Sequence, residues 1–390
     1  MRRAPALAPL PLDAVERTRM PLEQATQLPG AAFLDPEVLA WEEDRLFARE
    51  WICAGHADQI RAQGEFFTVE VAGESVVVLA DDDGLPRAFV NTCRHRGARV
   101  VAEPEGVTKR LRCPYHAWTY NLDGSLRSAP FTEGIEGFRV CDHGLHPVRL
   151  AVVEGLVLLC LSSDEAPPPE DHVGDLRTLL ARYRTPELRR ASRQTYMVAA
   201  NWKVIAQNYN ECLHCPGVHP ELNRLSHYLS GAQMEGAGEW CGGSMALSEG
   251  AGTMAAKSTG VRAAIDGLTS EQAREVLYFA LFPNALISLH PDYVMLHTLW
   301  PRAADRTDVV CEWFFEPRAV EAPGFDPSDA VRFWDQVNRE DWAVCELTQR
   351  GMGSRSYTPG RYTTQETDVH RFDVMVADRY AAAPSIPGAS

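Results

Sequence analysis

Cys93-Arg94-His95, followed after seventeen residues by Cys113-Pro114-Tyr115-His116, is the stretch from which the rest of the chain can be read. Each half sets a thiol and an imidazole on one tight turn, and two such turns can face each other at the tip of a β-domain. Gly97 lets backbone come close, and Pro114 stiffens the second loop. Two sulfurs with two nitrogens suit either a structural zinc ion or a two-iron cluster held by thiolates on one iron and imidazoles on the other. Zinc fingers usually place Cys-x2–4-Cys before His-x3–5-His. Here the order alternates Cys-His, Cys-His, which favours the cluster, and backbone N–H groups in such turns can hydrogen-bond its sulfurs.

The flanks agree with a β-domain. Phe66–Val71, Ser75–Leu79, Arg87–Val90 and Gly155–Cys160 are short runs rich in β-branched residues. Turn signals such as Asp83-Gly84 and Asp123-Gly124 separate them. Residues 52–163 therefore read as a small all-β domain, and Pro167-Pro168-Pro169 marks its exit. On the N-terminal side, residues 1–30 read as a loosely ordered arm. A helix follows over 35–51, with Asp35 as N-cap and Pro36 at its first position. On the C-terminal side, residues 164–390 read as a second domain with helices at 173–185, 201–215 and 327–350, the last capped by Asp326 with Pro327 behind it. Strands are expected at 285–289 and 309–315. The glycine-rich region 226–265 is expected to cover a substrate.

Composition narrows the partners. Fifty-three acidic against 38 basic residues give a formal charge of −15, a field that disfavours nucleic acid and anionic membranes. The apolar run near the start is broken by Pro5, Pro9 and Pro11, so no secretory signal is expected, and no window reaches the roughly 18 apolar residues of a membrane span. The ten cysteines are scattered rather than packed into a small framework, which points to reduced cytoplasmic thiols, some of them metal ligands.

A second constellation lies in Asn201-Trp202-Lys203-Val204-Ile205-Ala206-Gln207-Asn208-Tyr209-Asn210-Glu211-Cys212-Leu213-His214-Cys215-Pro216-Gly217-Val218-His219-Pro220. On one regular helix His219 would lie about 140° from His214, too far for a shared ion. Pro216 and Gly217 should break that register and bring His219 back. A third ligand must come from elsewhere. In the 327–350 helix the apolar stripe Val331, Trp334, Val337, Val344 is interrupted by Asp341, whose buried charge requires a partner, either a salt bridge or a metal. Two imidazoles and one carboxylate make the facial set of a ferrous centre with open positions for O2. Cys212 and Cys215 form a CxxC with no second pair, and read as small buried packing residues.

Asn91-Thr92-Cys93-Arg94-His95-Arg96-Gly97 with Arg112-Cys113-Pro114-Tyr115-His116-Ala117-Trp118-Thr119-Tyr120-Asn121-Leu122-Asp123-Gly124, and Glu211-x2-His214-x4-His219-Pro220, resemble the Rieske non-haem iron oxygenases, alpha subunits. The resemblance runs over nearly the whole chain. It implies a Rieske [2Fe–2S] cluster on Cys93, His95, Cys113 and His116. It also implies mononuclear Fe(II) on His214, His219 and Asp341, the last from a segment Glu340-Asp341-Trp342 like the family's. The implied fold is α+β: an inserted all-β Rieske domain and a helix-grip catalytic domain with an antiparallel sheet, to which residues 1–51 also belong. Within one chain the two sites are expected to be far apart, so a homotrimer would set each cluster against the next subunit's iron. Glu211 would be the catalytic bridge between a Rieske histidine, His116, and an iron-ligating one.

Most members carry Asp at the Glu211 position. Glu resembles the branch acting on choline, carnitine and glycine betaine, although Gln207 stands where that branch has Glu and Leu213 where it has Tyr. The expected reaction is O2-dependent C–H hydroxylation that N-demethylates or oxidises a quaternary or methylated ammonium compound, glycine betaine-like, with NAD(P)H electrons from a separate flavin or iron–sulfur reductase. Aromatic ring hydroxylation is the rival inside the enzyme class, and a Rieske electron carrier the rival outside it. Tyr209, Trp240, Tyr293, Trp300 and Trp313 are the aromatics available for a cation–π pocket.

Overall fold

In the computed structural model, the described residues are 7–162, 166–257 and 262–382. The chain divides into two units, Phe47–Pro169 and a unit made of Met1–Leu46 with Glu170–Ser390.

The inserted unit is built of antiparallel strands. Pro86–Val90, Glu74–Ala80, Glu65–Val71 and Glu105–Val107 form one sheet in that order. Ile52–His56, Leu156–Cys160 and Arg149–Val153 form a second, and three short strands between Leu111 and Ser128 form a third. The run Ser75-Val76-Val77-Val78-Leu79 explains the layering, because neighbouring strand residues point to opposite faces. Val76 and Val78 join Phe67, Val157 and Leu159 in one core. Val77 and Leu79 join Phe66, Trp118 and Tyr120 in another, and Cys93 and Cys113 lie in that second core.

The second unit is an antiparallel sheet with helices. Its strands are β1 (Arg189–Val198), β2 (Gly231–Gln233), β3 (Trp240–Ala246), β4 (Glu275–Leu281), β5 (Ala285–Leu289), β6 (Val294–Ala303) and β7 (Arg306–Phe315), in the order β1-β7-β6-β5-β4-β3-β2. Helices α1 (Leu12–Thr18), α2 (Pro36–Glu42), α3 (Trp202–Tyr209), α4 (Cys215–Val218), α5 (Ser328–Met352) and α6 (Thr367–Ala381) accompany it. Helix α5 packs on α3 and β1, and α6 packs on α1, α3 and β3. The buried positions Ala330, Phe333, Trp334, Val337, Asn338, Cys345, Gln349 and Met352 recur at helical spacing along α5.

The fold class expected from sequence is the one observed; the element ends differ. The helix expected over 35–51 keeps α geometry only to Glu42 and continues as a π-type turn over Glu43–Phe47. The one expected over 173–185 is split at Gly174, which sits at φ +55°. Helix α5 begins at Ser328, whose N–H donates to Asp326 at 2.9 Å. The arm from residue 7 onward is not loose. Val15, Ala25 and Leu28 are buried, Arg19 pairs with Asp378 at 2.7 Å, and His370 meets the Thr18 carbonyl at 3.0 Å. Contacts more than 300 residues away in sequence order it, and no local pattern could report them.

The region 226–265, expected as a cover, supplies β2 and β3, the edge of the sheet; residues 258–261 of it lie outside the described residues. Glycine is there for close approach. A Cβ on Gly242 (φ +139°) would stand 2.0 Å from the Tyr278 carbonyl, and one on Gly243 would stand 2.2 Å from the Ala232 carbonyl.

A buried polar layer ties α2, α3 and α6 together. Lys203 Nζ pairs with Glu42 at 2.6 Å with both side chains fully buried, and Trp202 Nε1 donates to the same carboxylate at 2.9 Å. Below them Gln207 Nε2 donates to both oxygens of Asp373 at 2.8 Å, and the Tyr362 hydroxyl donates at 2.6 Å. A glutamate at position 207 would set carboxylate against carboxylate, so the amide belongs with Asp373. Burial pushes the Asp373 carboxyl up to about 7 from its ordinary 3.8. The folded chain then holds a proton that the unfolded chain releases near pH 4, so stability falls as pH rises from there through 7. The melting temperature is expected to drop by roughly 5 °C between pH 5 and pH 8, and the Asp373→Asn variant to show a flatter profile by scanning calorimetry.

Candidate active site

Helix α3 starts because the Asn201 side chain accepts from the Lys203 N–H at 3.1 Å, and it stops at Asn210, whose amide turns back to the Ala206 carbonyl at 2.8 Å. Glu211–His214 follow in a non-helical turn, α4 restarts at Cys215 with Pro216, and His219 leaves the helical region at φ −124°, ψ 65°. Pro216 and Gly217, expected to break the register, instead lie inside α4, where Pro216 fits the first turn; the departures at Glu211–His214 and at His219 bring the two imidazoles to 5.2 Å between centroids. Asp341, from the inner face of α5, completes the group: one ligand atom from each of His214, His219 and Asp341 lies within 4.8 Å of the others.

The atoms face the right way for one cation. Asp341 Oδ1 lies 2.8 Å from His219 Nε2 and 3.2 Å from His214 Nε2. Two ligands each about 2.1 Å from a shared ion and at right angles to one another lie about 3.0 Å apart, so the spacing fits facial coordination. Both Nδ1 atoms point away, each to a carboxylate. His214 Nδ1 meets Glu211 at 2.6 Å, and His219 Nδ1 meets Glu340 at 2.6 Å. Glu211 also accepts the Leu213 N–H. Burial opposes charge on His214, but the hydrogen bonds its ring donates to Asp341 and Glu211 outweigh it and raise the imidazole to about 9. Asp341 is held below its ordinary value by the same two imidazoles against the cost of burial. The pocket is thus built to hold positive charge.

Glu340 carries no assigned role in the sequence reading. The signal was its place beside Asp341: two consecutive helix residues diverge by about 100°, so one reaches the ion position and the other the back of a histidine ring. An outer carboxylate fixes the tautomer and orientation of a ligand, so Glu340→Gln is expected to weaken metal retention by about ten-fold in chelator competition while the fold is kept.

Cys212 and Cys215 correct the sequence reading. They are joined as a disulfide around Leu213 and His214, not separate packing thiols. Their chain separation of three matches the span of the turn that breaks the helix.

In the β unit the two cluster turns repeat one pattern. Gly97 N–H donates to the Cys93 carbonyl at 3.0 Å and Ala117 N–H to the Cys113 carbonyl at 3.1 Å, with Gly97 and Ala117 both left-handed at φ +74° and +61°. The His95 and His116 rings stand 4.7 Å apart at the surface, and Cys93 and Cys113 are buried beneath them. The Tyr120 hydroxyl accepts the Arg94 N–H at 3.0 Å, which leaves its proton for Cys93 Sγ at 3.3 Å. Burial pushes the Cys113 thiol up, a penalty that iron ligation removes. Two inner thiols and two outer imidazoles suit a Rieske cluster.

Comparison with known proteins gives the family. Residues 185–382 match the catalytic domain of ring-hydroxylating alpha subunits, and residues 50–139 match the Rieske [2Fe-2S] domain. The glycine betaine monooxygenase oxygenase subunit of Chromohalobacter salexigens is 30% identical over 92% of this chain and 88% of its own length. Chloroplastic choline monooxygenase of Arabidopsis thaliana is 29% identical over 92% and 84%. A solved structure of the quaternary ammonium Rieske monooxygenase CntA with substrate L-carnitine aligns at a TM-score of 0.80 and 25% identity, covering 95% of this chain and 99% of that one.

The chain belongs to the Rieske oxygenase alpha subunits.

As an oxygenase of this family it works with a [2Fe-2S] cluster and a mononuclear iron, on a small molecule and with a separate reductase. Among the described residues no helix is long and apolar enough to cross a membrane. Beside His214, His219 and Asp341 the oxygenase has a cavity of about 390 Å³. Its aromatic wall is Tyr209, Tyr228, Tyr278 and Trp334. Of the five aromatics singled out in the sequence only Tyr209 is there. Trp240, Tyr293 and Trp313 are buried in the core, and Trp300 donates to Thr298 Oγ1 at 2.9 Å. Tyr278 was hidden in β4, an apolar run buried on both faces, where nothing local separates a lining residue from core.

Proposed function

We propose that this oxygenase is the terminal component of a monooxygenase that hydroxylates a C–H bond of a methylated ammonium compound, with His214, His219 and Asp341 as iron ligands and Cys93, His95, Cys113 and His116 as cluster ligands. The observation that carries the reading is the Nε2, Nε2, Oδ1 set beside a cavity with four aromatic side chains and a surplus of acid. Aromatic faces attract a quaternary ammonium head by cation–π contact, about 0.5–2 kcal/mol each. Relatives named for glycine betaine, choline and carnitine support the same substrate class.

When bound, the two groups supply the electrons and the open coordination positions at which O2 is activated. The protein's own residues do the rest. Glu211 and Glu340 hold the two Nδ1 protons, which leaves both Nε2 atoms, on the side facing Asp341, to bind the iron once it is present. Tyr209, whose hydroxyl is taken up by Ser288 at 2.9 Å, presents its ring in a fixed position. Overall, substrate C–H, O2, NAD(P)H and a proton give C–OH, water and NAD(P)+. If the carbon is an N-methyl, the N–CH2–OH product loses its hydroxyl proton, the C–N bond breaks toward nitrogen, and formaldehyde and the demethylated amine result.

The working assembly is a cytoplasmic ring of three subunits in which Glu211 accepts from His214 and from the neighbouring subunit's His116. NAD(P)H electrons enter from a separate flavin or iron–sulfur reductase. The test is NADH- and O2-dependent turnover with a surrogate reductase across methylated amines and simple arenes. Carbonyl product from the amines supports the reading; hydroxylated arenes with the amines untouched would replace it by ring hydroxylation.

A further inference from the structure

Relatives named for glycine betaine, choline and carnitine are 30%, 29% and 28% identical to this chain, so resemblance does not choose among them. Among the differences between the three compounds, the one of charge is the carboxylate that betaine and carnitine carry and choline lacks. The cavity speaks to that difference. Among the described residues, no lysine or arginine lines it, while Glu211, Asp341 and Asp368 do. Asp341 and Glu211 offset the two charges of a ferrous ion, which leaves Asp368 as the negative charge in the wall.

Asp368 sits in the first turn of α6 and reaches across to the sheet edge. Its Oδ1 accepts from the Gly242 N–H and from Gln233 Nε2, both at 3.1 Å. Among the described residues none donates a hydrogen bond to its Oδ2. Burial pushes the Asp368 carboxyl up, a cost that a bound cation would relieve. Arg371, one turn further along α6, is the cation that acts on Asp368 from behind, but it is not in the cavity wall: it donates to the Gly236 carbonyl at 3.1 Å and lies 5.5 Å over the Trp240 ring. Neutral amides and hydroxyls of the wall, among them Asn208, Gln233, Ser244, Thr364 and Gln365, suit a hydroxyl or ether tail.

Resting on the methylated-ammonium reading above, we infer that the cavity selects a methylated ammonium cation without a carboxylate, and that Asp368 is the wall charge that enforces the choice. A substrate carboxylate would meet Asp368 with no cation in the wall to pair it, and like charges so placed repel. An alcohol or alkyl tail meets no such penalty.

The holoenzyme with its reductase is to be assayed on choline, tetramethylammonium, glycine betaine and L-carnitine, with anaerobic titration calorimetry for binding. Choline and tetramethylammonium are expected to bind at least about ten-fold more tightly than the two carboxylates, and choline to have the higher kcat/KM. Asp368→Asn is expected to weaken choline binding about ten-fold and narrow the discrimination, with iron content unchanged. Gln233→Arg, which adds a cation to the wall, is expected to improve betaine binding. Tighter binding and faster turnover of betaine or carnitine by the wild type would overturn the inference and leave the ammonium reading standing. So would an Asp368→Asn enzyme with unaltered choline affinity. Binding of none of the four, with arenes hydroxylated instead, would sink the ammonium reading itself and this inference with it.

Discussion

Replacing Asp341 with alanine is expected to remove one iron per subunit, from about three to about two, and to abolish hydroxylation while the cluster's visible and paramagnetic signatures persist. Asp341 Oδ1 is the one oxygen that meets both Nε2 atoms, at 2.8 and 3.2 Å. Without it two imidazoles remain, each still tied to its own carboxylate, and a two-ligand site does not hold Fe(II) against dilution. The cluster should be spared because Cys93 and Cys113 belong to the core of the other unit, Phe47–Pro169. Iron analysis with electron paramagnetic resonance on one preparation decides the matter. Retention of about three irons, or collapse of the cluster signal with the loss, would show that Asp341 is not a ligand.

Glu211→Gln is expected to leave both metal sites loaded and yet cut NADH-coupled product formation by roughly 10–100-fold. In the turn before α4, Glu211 holds His214 Nδ1 at 2.6 Å with one oxygen and the Leu213 N–H with the other. Glutamine keeps an acceptor for His214 but removes the negative charge and turns one oxygen into a donor. It can no longer accept from two imidazoles at once, as the proposed route from the neighbouring subunit's cluster requires. The diagnostic readout is the cluster's reoxidation rate after mixing pre-reduced enzyme with substrate and O2. A rate equal to wild type would remove Glu211 from the electron path and leave it as a support for His214 alone.

The parts of the fold legible in the sequence were those dictated by short-range pattern. Ser75-Val76-Val77-Val78-Leu79 announces a strand buried on two sides, and the apolar stripe of α5 announces a helix with Asp341 out of place on its inner face. That the chain breaks near the two histidines was legible, but not where: Pro216 and Gly217 lie inside α4, and the register changes at Glu211–His214 and at His219. Long-range pairing was not written anywhere a single sequence shows it. Glu42, Lys203 and Trp202 are 160 residues apart in part, and their common layer emerges only when α2 and α3 are packed together. The same holds for Asp368, which gains its place in the cavity through strands β2 and β3 more than 120 positions earlier. Aromatics offered the weakest signal. Burial accounts for Trp240, Tyr293 and Trp313 as readily as a ligand would, and they proved to be core.

Gly242 and Gly243 have a consequence for anyone wishing to change what this oxygenase accepts. Because backbone carbonyls stand 2.0 and 2.2 Å from where their Cβ atoms would be, that part of the lining cannot be remodelled by adding side chains without moving main chain. Variation is better aimed at Tyr228, Thr364 and Gln365, which also line the cavity and lie outside the sheet. Saturating those three positions should yield altered substrate ranges at far higher frequency than the same effort spent on the two glycines.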